Sequence, residues 1–211
     1  MEGLFSMKDI INRFITIQAR HGIFFRSEVT SELLIQNNNY VFKQIPKELF
    51  AKDPIFDEKN RIEKFYNRLK DGHHYCYGFF DQDNAVVFYM WISYPESTSI
   101  LVPWVFKTKL VVKPCTAYIW DCFTAPQYRR RDLYKKGLLR AKALCAQQGV
   151  EQVYIDCTND NIASQAGINS AGFKIFFAYT VRRVGALNFV NQDARKGVTV
   201  VLSGKGYNIV L

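Results

Sequence analysis

The sequence predicts an α+β fold, a mixed and mostly antiparallel sheet flanked by helices. Three observations predict it. Aromatic and β-branched strand patterns dominate the first half of the chain. Two strand–helix units, Ala117–Gln148 and Val153–Ala171, occupy the second half. A doubly wound fold would alternate strand and helix throughout, and this order does not.

Leu4, Met7, Ile11, Phe14 and Ile15 recur at helical spacing, so the chain should open with a helix that Gly22 stops. Tyr40–Ile45 reads as a short strand ending at Pro46. Asp57–Lys70 reads as a helix with Ile62, Phe65 and Leu69 on one face. Tyr75–Phe80 and Ala85–Ser93, joined by the turn residues 81–84, form an antiparallel hairpin. Pro95–Pro114 reads as loop around a strand at Trp104–Val112. A strand at Ala117–Thr124 stops at Pro126, and a long helix runs from about Asp132 to Gln148. Then come a strand at Val153–Cys157, a helix at Asn161–Ala171 and a strand at Phe173–Arg183. Val198–Leu202 and Tyr207–Leu211 flank Ser203-Gly204-Lys205-Gly206, a hairpin signal.

The 211 residues, 48% hydrophobic and 15% aromatic, suit one packed domain with extensions and exclude long disorder. The apolar stretches Ala85–Tyr94 and Ile100–Phe106 are too short to cross a bilayer, and Lys8, Asp9 and Arg13 interrupt any signal-peptide core. No membrane partner is expected, because the first helix lacks the basic polar face of a surface anchor. That helix fits packed core or a homodimer contact better. Five cysteines without a Cys-x-x-Cys pair read as reduced thiols of a cytoplasmic protein. Three histidines without converging spacing give no metal site. The formal charge of +9 favours a polyanionic partner. Nucleic acid is not expected, since no helix-turn-helix, zinc-finger or RNA-recognition signature is present.

The segment Thr124-Ala-Pro-Gln-Tyr-Arg-Arg-Arg-Asp-Leu-Tyr134 carries the chemistry. It joins a strand end to the first turn of a long helix, where unpaired N–H groups and the helix dipole favour a phosphate. Arg129, Arg130, Arg131, Lys135 and Lys136 stand there against Asp132 alone.

This segment resembles the acyl-CoA-binding motif of the GNAT superfamily of N-acyltransferases. Thr124, Pro126, Tyr128, Arg129 and Leu133 match it by position, and Asn161 with Gly172-Phe173 matches the family's second motif. The resemblance spans roughly Tyr40 to Arg183. It implies residues 39–186 as the acyltransferase domain, after a helical extension at 1–38 and before a β-hairpin extension at 187–211. It also implies acetyl-CoA as acyl donor and a small-molecule amine, such as an amino sugar, as acceptor. Phe123 and Thr124 would pair with the pantetheine arm. Backbone N–H groups from Arg129 to Tyr134, across Arg130, Arg131, Asp132 and Leu133, would hold the pyrophosphate. Asn161 and Ser164 would contact the pantetheine or its phosphate.

The chain departs from the motif where Arg130, Asp132 and Tyr134 replace glycines, and where Ile168 fills the slot of a tyrosine acid. These departures keep a second reading open, a degenerate domain that binds without catalysis. For the base, Asp121 is the carboxylate of the central strand, although strict alternation from Thr124 puts Cys122, Trp120 and Tyr118 on the substrate side and Asp121 opposite. Tyr118 is a second candidate, as base or pocket wall, and Glu96 a third.

Overall fold

Two sheets organise the computed structural model, which describes residues 17–29, 39–56, 61–70, 72–104, 109–184, 187–192, 199–203 and 206–210. The strands are β1 (Ile17–Glu28), β2 (Val41–Gln44), β3 (His74–Phe80), β4 (Val86–Ser93), β5 (Ile100–Pro103) and β6 (Lys109–Val112). They continue as β7 (Thr116–Thr124), β8 (Gln152–Thr158), β9 (Lys174–Val184), β10 (Leu187–Gln192), β11 (Thr199–Ser203) and β12 (Gly206–Val210). The helices are α1 (Arg61–Leu69), α2 (Leu133–Gln147) and α3 (Ile162–Ser170). Eight strands form the main sheet in the order β10-β9-β1-β8-β7-β4-β3-β2, and β11-β12-β6-β5 form the smaller one. The main sheet is antiparallel except where β7 meets β8. This is the expected mixed α+β architecture.

The core follows from strand alternation. All eight residues of β4 are buried because helices cover both of its faces. Phe88, Met90 and Ile92 pack with Leu133, Leu138 and Ala141 of α2. Tyr89 and Trp91 pack on the other face with Phe65 of α1 and with Phe50 and Phe56 from two 3-10 turns. On that second face the small sheet adds Ile100, Val102, Leu110 and Val112, packed against Tyr118, Tyr154, Phe177 and Tyr179.

Three expectations need correction. Residues 17–28 do not belong to a helical extension: they form β1, inserted between β8 and β9 of the main sheet. Phe24 and Phe25 are both fully buried, one on each face, which a strand between two partners achieves and an amphipathic helix does not. Gly22 is therefore a mid-strand glycine and no helix stop. The expected helix over Leu4–Ile15 lies outside the described residues. Ile100–Pro103, read as loop, is β5 and pairs with β6. The terminal hairpin forms as β11 and β12, and β12 joins β6 in parallel, while β10 extends the main sheet beside β9. No described helix is long and apolar enough to cross a membrane.

Candidate active site

The site begins where two parallel strands part. β7 and β8 pair only from Thr116/Gln152 to Ile119/Ile155. β7 stays paired with β4 as far as Thr124, so its opposite edge has no strand partner beyond Ile119 among the described residues. A bulge accompanies the parting. The β4–β7 register shifts between Tyr89 and Trp91, and Asp121 takes a left-handed backbone with φ 48°. Bulges bend a strand and re-aim its side chains. Trp120 and Phe123 accordingly share the α1 face, although strict alternation would separate them. Cys122 packs instead on the α2 face. The alternation drawn from the sequence thus fails at one residue, Asp121.

Asp121 is matched by a cation. Its Oδ2 accepts from Nη1 of Arg68 at 2.5 Å, with both side chains mostly buried. The Arg68 guanidinium lies 4.2 Å from the ring centroid of Trp120. Trp120 is itself fixed, because its indole N–H donates to Ser93 Oγ at 2.7 Å and that hydroxyl lies 2.8 Å from Nδ1 of the buried His74.

The loop after β7 keeps a glycine-like path without glycines. A 3-10 turn, Pro126–Tyr128, leads to Arg130 and Asp132 with φ 61° and 58°. These are two of the positions where the motif carries glycine, and both hold the left-handed conformation that glycine adopts without strain. The Asp132 side chain makes no capping hydrogen bond, while its backbone carbonyl accepts from Lys136. The N–H groups ahead of Lys136 belong to the first turn of α2, which has no intrahelical acceptors. Tyr128 donates to Asp81 at 2.7 Å and ties the loop to the β3–β4 turn.

A cleft of about 680 Å³ lies between this loop, α2 and α3. Phe123, Thr124, Arg129, Arg130, Asp132 and Leu133 line it from the β7 side. Tyr134, Asn161 and Ser164 complete it, so the structure brings these sequence-predicted residues to one place. Arg131 is the exception: it turns away to donate to the Tyr40 hydroxyl at 3.1 Å, with its guanidinium over Tyr128. Asn161 caps α3, its Oδ1 accepting from the Ser164 N–H at 3.1 Å. The Tyr134 hydroxyl lies 3.0 Å from that of Ser164 across the floor. Gly167 makes room for its ring, since a Cβ there would lie 2.4 Å from Tyr134 Cδ1. Ile168 is fully buried in the α2-side core.

The other side of the parted strands holds a carboxylate that the sequence reading missed. Asp156 is the first residue of β8 beyond its last pairing with β7. Its Oδ1 accepts from the Tyr118 hydroxyl at 2.5 Å. Its Oδ2 accepts from the Tyr179 hydroxyl and, at 3.3 Å, from the Trp104 indole N–H. Gly22 lets Tyr179 in, because a Cβ would meet the phenol oxygen at 2.4 Å. Burial first, and the charge of Asp156 second, push both phenols well above the usual tyrosine range. Tyr118 is thus a committed donor. The available signal for Asp156 was a lone carboxylate within Val153–Cys157, on the face opposite its neighbours. Cys122 lies close enough to both carboxylates that burial, Asp121 and Asp156 in turn raise its thiol well above the ordinary value. Glu96 sits on the exposed loop after β4, beyond the Tyr118 end of β7 and away from Thr124. Among the described residues no group of three or more His, Cys, Asp and Glu side chains is placed to hold a metal ion.

The parallel strands part beside a basic helix start, whose N–H groups and charge favour an anion. Residues 42–173 match the model of the acetyltransferase (GNAT) family, and the chain belongs to that family. Solved structures share the fold. A Drosophila protein is 11% identical over 83% of this chain and 54% of its own, with TM-score 0.55. A GCN5-related N-acetyltransferase from Sphaerobacter thermophilus is 9% identical over 84% of this chain and 55% of its own, with TM-score 0.52. A protein from Novosphingobium aromaticivorans assigned to the GNAT acetyltransferases is 13% identical over 86% and 69%, also at 0.52. The chain thus spans about half the length of the first two. No curated protein matches it.

Proposed function

We propose that this acetyltransferase-family chain transfers an acetyl group from acetyl-CoA to the amine of a small molecule. The observation that carries the reading is the parting of β7 and β8 beyond Ile119 and Ile155, with the head of α2 at its mouth. The residues present fit an acyl-CoA. The left-handed Arg130 and Asp132 keep the loop open to a ligand at the first-turn N–H groups of α2. Arg129, Arg130 and Lys135 add cations for phosphates. β7 continues to Thr124 after β8 leaves it at Ile119, so the Thr124 end offers backbone partners to an extended arm, and Asn161 and Ser164 offer polar groups across from it. An acyl-CoA bound there supplies a thioester carbonyl for attack by an amine. Cys122 remains a neutral thiol, so direct transfer suits the site better than an acyl-cysteine relay.

Asp121 holds the bulge through Arg68 and shapes the throat of the cleft. Tyr118 orients Asp156 as a donor. The acceptor approaches on the face of Trp104 and Trp120, opposite α2 and α3. An amino sugar with its uncharged hydroxyls suits such an aromatic, hydrogen-bonding wall, and a cytoplasmic setting supplies acetyl-CoA. The test is thiol release from acetyl-CoA with and without a panel of primary amines, amino sugars among them. Amine-dependent release that rises with pH as the amine loses its proton supports the reading. Release independent of every amine, at any pH where the protein is folded, contradicts it.

A further inference from the structure

We propose that Asp156 is the seat of the acceptor's ammonium group and the first recipient of its proton. The ligand class is a primary ammonium on an uncharged carbon chain or ring. Only the proton step rests on the acyltransferase reading; the ammonium site stands on the structure around Asp156.

The two carboxylates at the parting differ in how they are satisfied. Asp121 is neutralised by Arg68 at 2.5 Å. Asp156 receives only uncharged donors, the Tyr118 and Tyr179 hydroxyls and the Trp104 indole N–H. Among the described residues no cation forms an ion pair with it. Arg20 of β1, on the exposed side, acts electrostatically on both phenols but makes no such pair. A half-buried carboxylate has about four acceptor positions in all, and three neutral donors fill three of them, so one remains. A partly buried carboxylate with no ion-pair partner is a place where a cationic ligand gains most.

The surroundings select an ammonium. The rings of Trp104 and Tyr179 lie 4.7 Å apart, and Phe24 touches both at 5.6 and 5.4 Å. Phe24 and Tyr179 are buried, and the partly exposed Trp104 is the aromatic surface beside the carboxylate that can meet a cation with an apolar body. Position then gives the chemistry. Asp156 faces away from α2 and α3, on the far side of the gap whose near side is the cleft. Cys122, on the cleft side, still feels its charge.

In the transfer, the ammonium gives one proton to the Asp156 carboxylate and becomes an amine. Its lone pair forms the carbon–nitrogen bond as the carbon–sulfur bond breaks. The second proton lost by nitrogen goes to the departing sulfur, and Asp156 returns its proton to water. Tyr118 and Tyr179 keep their protons throughout and hold the carboxylate in place.

The test uses n-butylammonium as probe and n-butanol as its neutral counterpart, read by the indole N–H NMR signals of Trp104 and Trp120. Butylammonium should move the Trp104 signal saturably and butanol should not. Asp156→Asn should weaken butylammonium at least tenfold, leave acetyl-CoA affinity by calorimetry within twofold, and lower kcat/KM for butylamine by about 100-fold, the range of a lost general base. Asp121→Asn should retain the shift. Tyr179→Phe keeps the ring and frees an acceptor position, so it should tighten butylammonium, and it stands in if Asp156→Asn does not fold. Unchanged butylammonium affinity in Asp156→Asn, loss in Asp121→Asn alone, or weaker binding in Tyr179→Phe would overturn the proposal. If the parent binds butylammonium but not acetyl-CoA, the ammonium site stands and the acyltransferase reading falls.

Discussion

Arg130 and Asp132 show how one side chain can depart from a motif while its backbone does not. Both sit at positive φ, where a non-glycine residue costs on the order of 1 kcal/mol. Arg130→Gly should therefore raise stability by about 0.5–1 kcal/mol, read as a higher urea midpoint. Asp132 makes no cap bond, and Asp132→Gly should gain less, because the helix dipole loses a carboxylate worth about 0.3–1 kcal/mol. Asp132→Gly should also tighten acetyl-CoA, because it removes a negative charge from the cleft wall. Arg131→Ala should change acetyl-CoA affinity less than about twofold, within 0.4 kcal/mol, since Arg131 faces Tyr40.

Asp81 gives a pH-dependent counterpart. The hydrogen bond from Tyr128 is the main cause that lowers its pKa below the ordinary carboxylate value. A lowered folded pKa contributes stability above the unfolded value, and that stability is lost as pH falls through the folded one. Tyr128→Phe should then be less stable than the parent at neutral pH, and the gap should close by about pH 2. Paired urea titrations at the two pH values read the effect. A gap that persists unchanged in acid would assign the loss to packing alone.

At the scale of elements, glycines mark where one element admits the side chain of another. Gly167 on α3 faces the Tyr134 ring on α2. Alanine in a helix interior is intrinsically better than glycine by about 1 kcal/mol. Here its Cβ would meet a ring carbon at 2.4 Å, and overpacking costs roughly 1–3 kcal/mol. Gly167→Ala should therefore destabilise, and Tyr134→Ala should rescue it in the double variant, a coupling that a thermal-melt cycle reads. Two independent, additive losses would contradict the packing account. The third glycine of the motif is thus absent for a reason visible only in three dimensions: Tyr134 spans from α2 to Ser164.

Elements also show what could be read in advance. The β3–β4 hairpin, β7, α2, β8, α3 and β9 all appear within one or two residues of their predicted ends, because turn residues and periodicity bound them. The bulge at Asp121 was not legible, since nothing local distinguishes a strand aspartate at φ 48° from one in regular pleat. That single irregularity re-aimed Trp120, Cys122 and Phe123. Asp156 went unread for a related reason, as its partners Tyr118, Tyr179 and Trp104 are up to 52 residues away in sequence.

At the scale of the whole molecule, the long-range order of the sheet escaped the sequence. β1 stands between β8 and β9, which are consecutive strands of the chain, and no local pattern specifies such an insertion. Its placement matters to the site, because Gly22 of β1 admits the Tyr179 hydroxyl to Asp156. By contrast, the two strand–helix units that set β7 and β8 side by side were legible in succession.

In the proposed function acetyl-CoA enters this parting, capped by the basic head of α2. Calorimetric titration of acetyl-CoA into the chain and into Arg130→Ala decides whether it does. Saturable one-to-one binding that CoA displaces is expected, weakened in the variant by up to about tenfold, or 1.4 kcal/mol, and less so at high salt. Absence of binding to the folded parent, or binding that neither CoA nor the Arg130 substitution affects, would contradict that function.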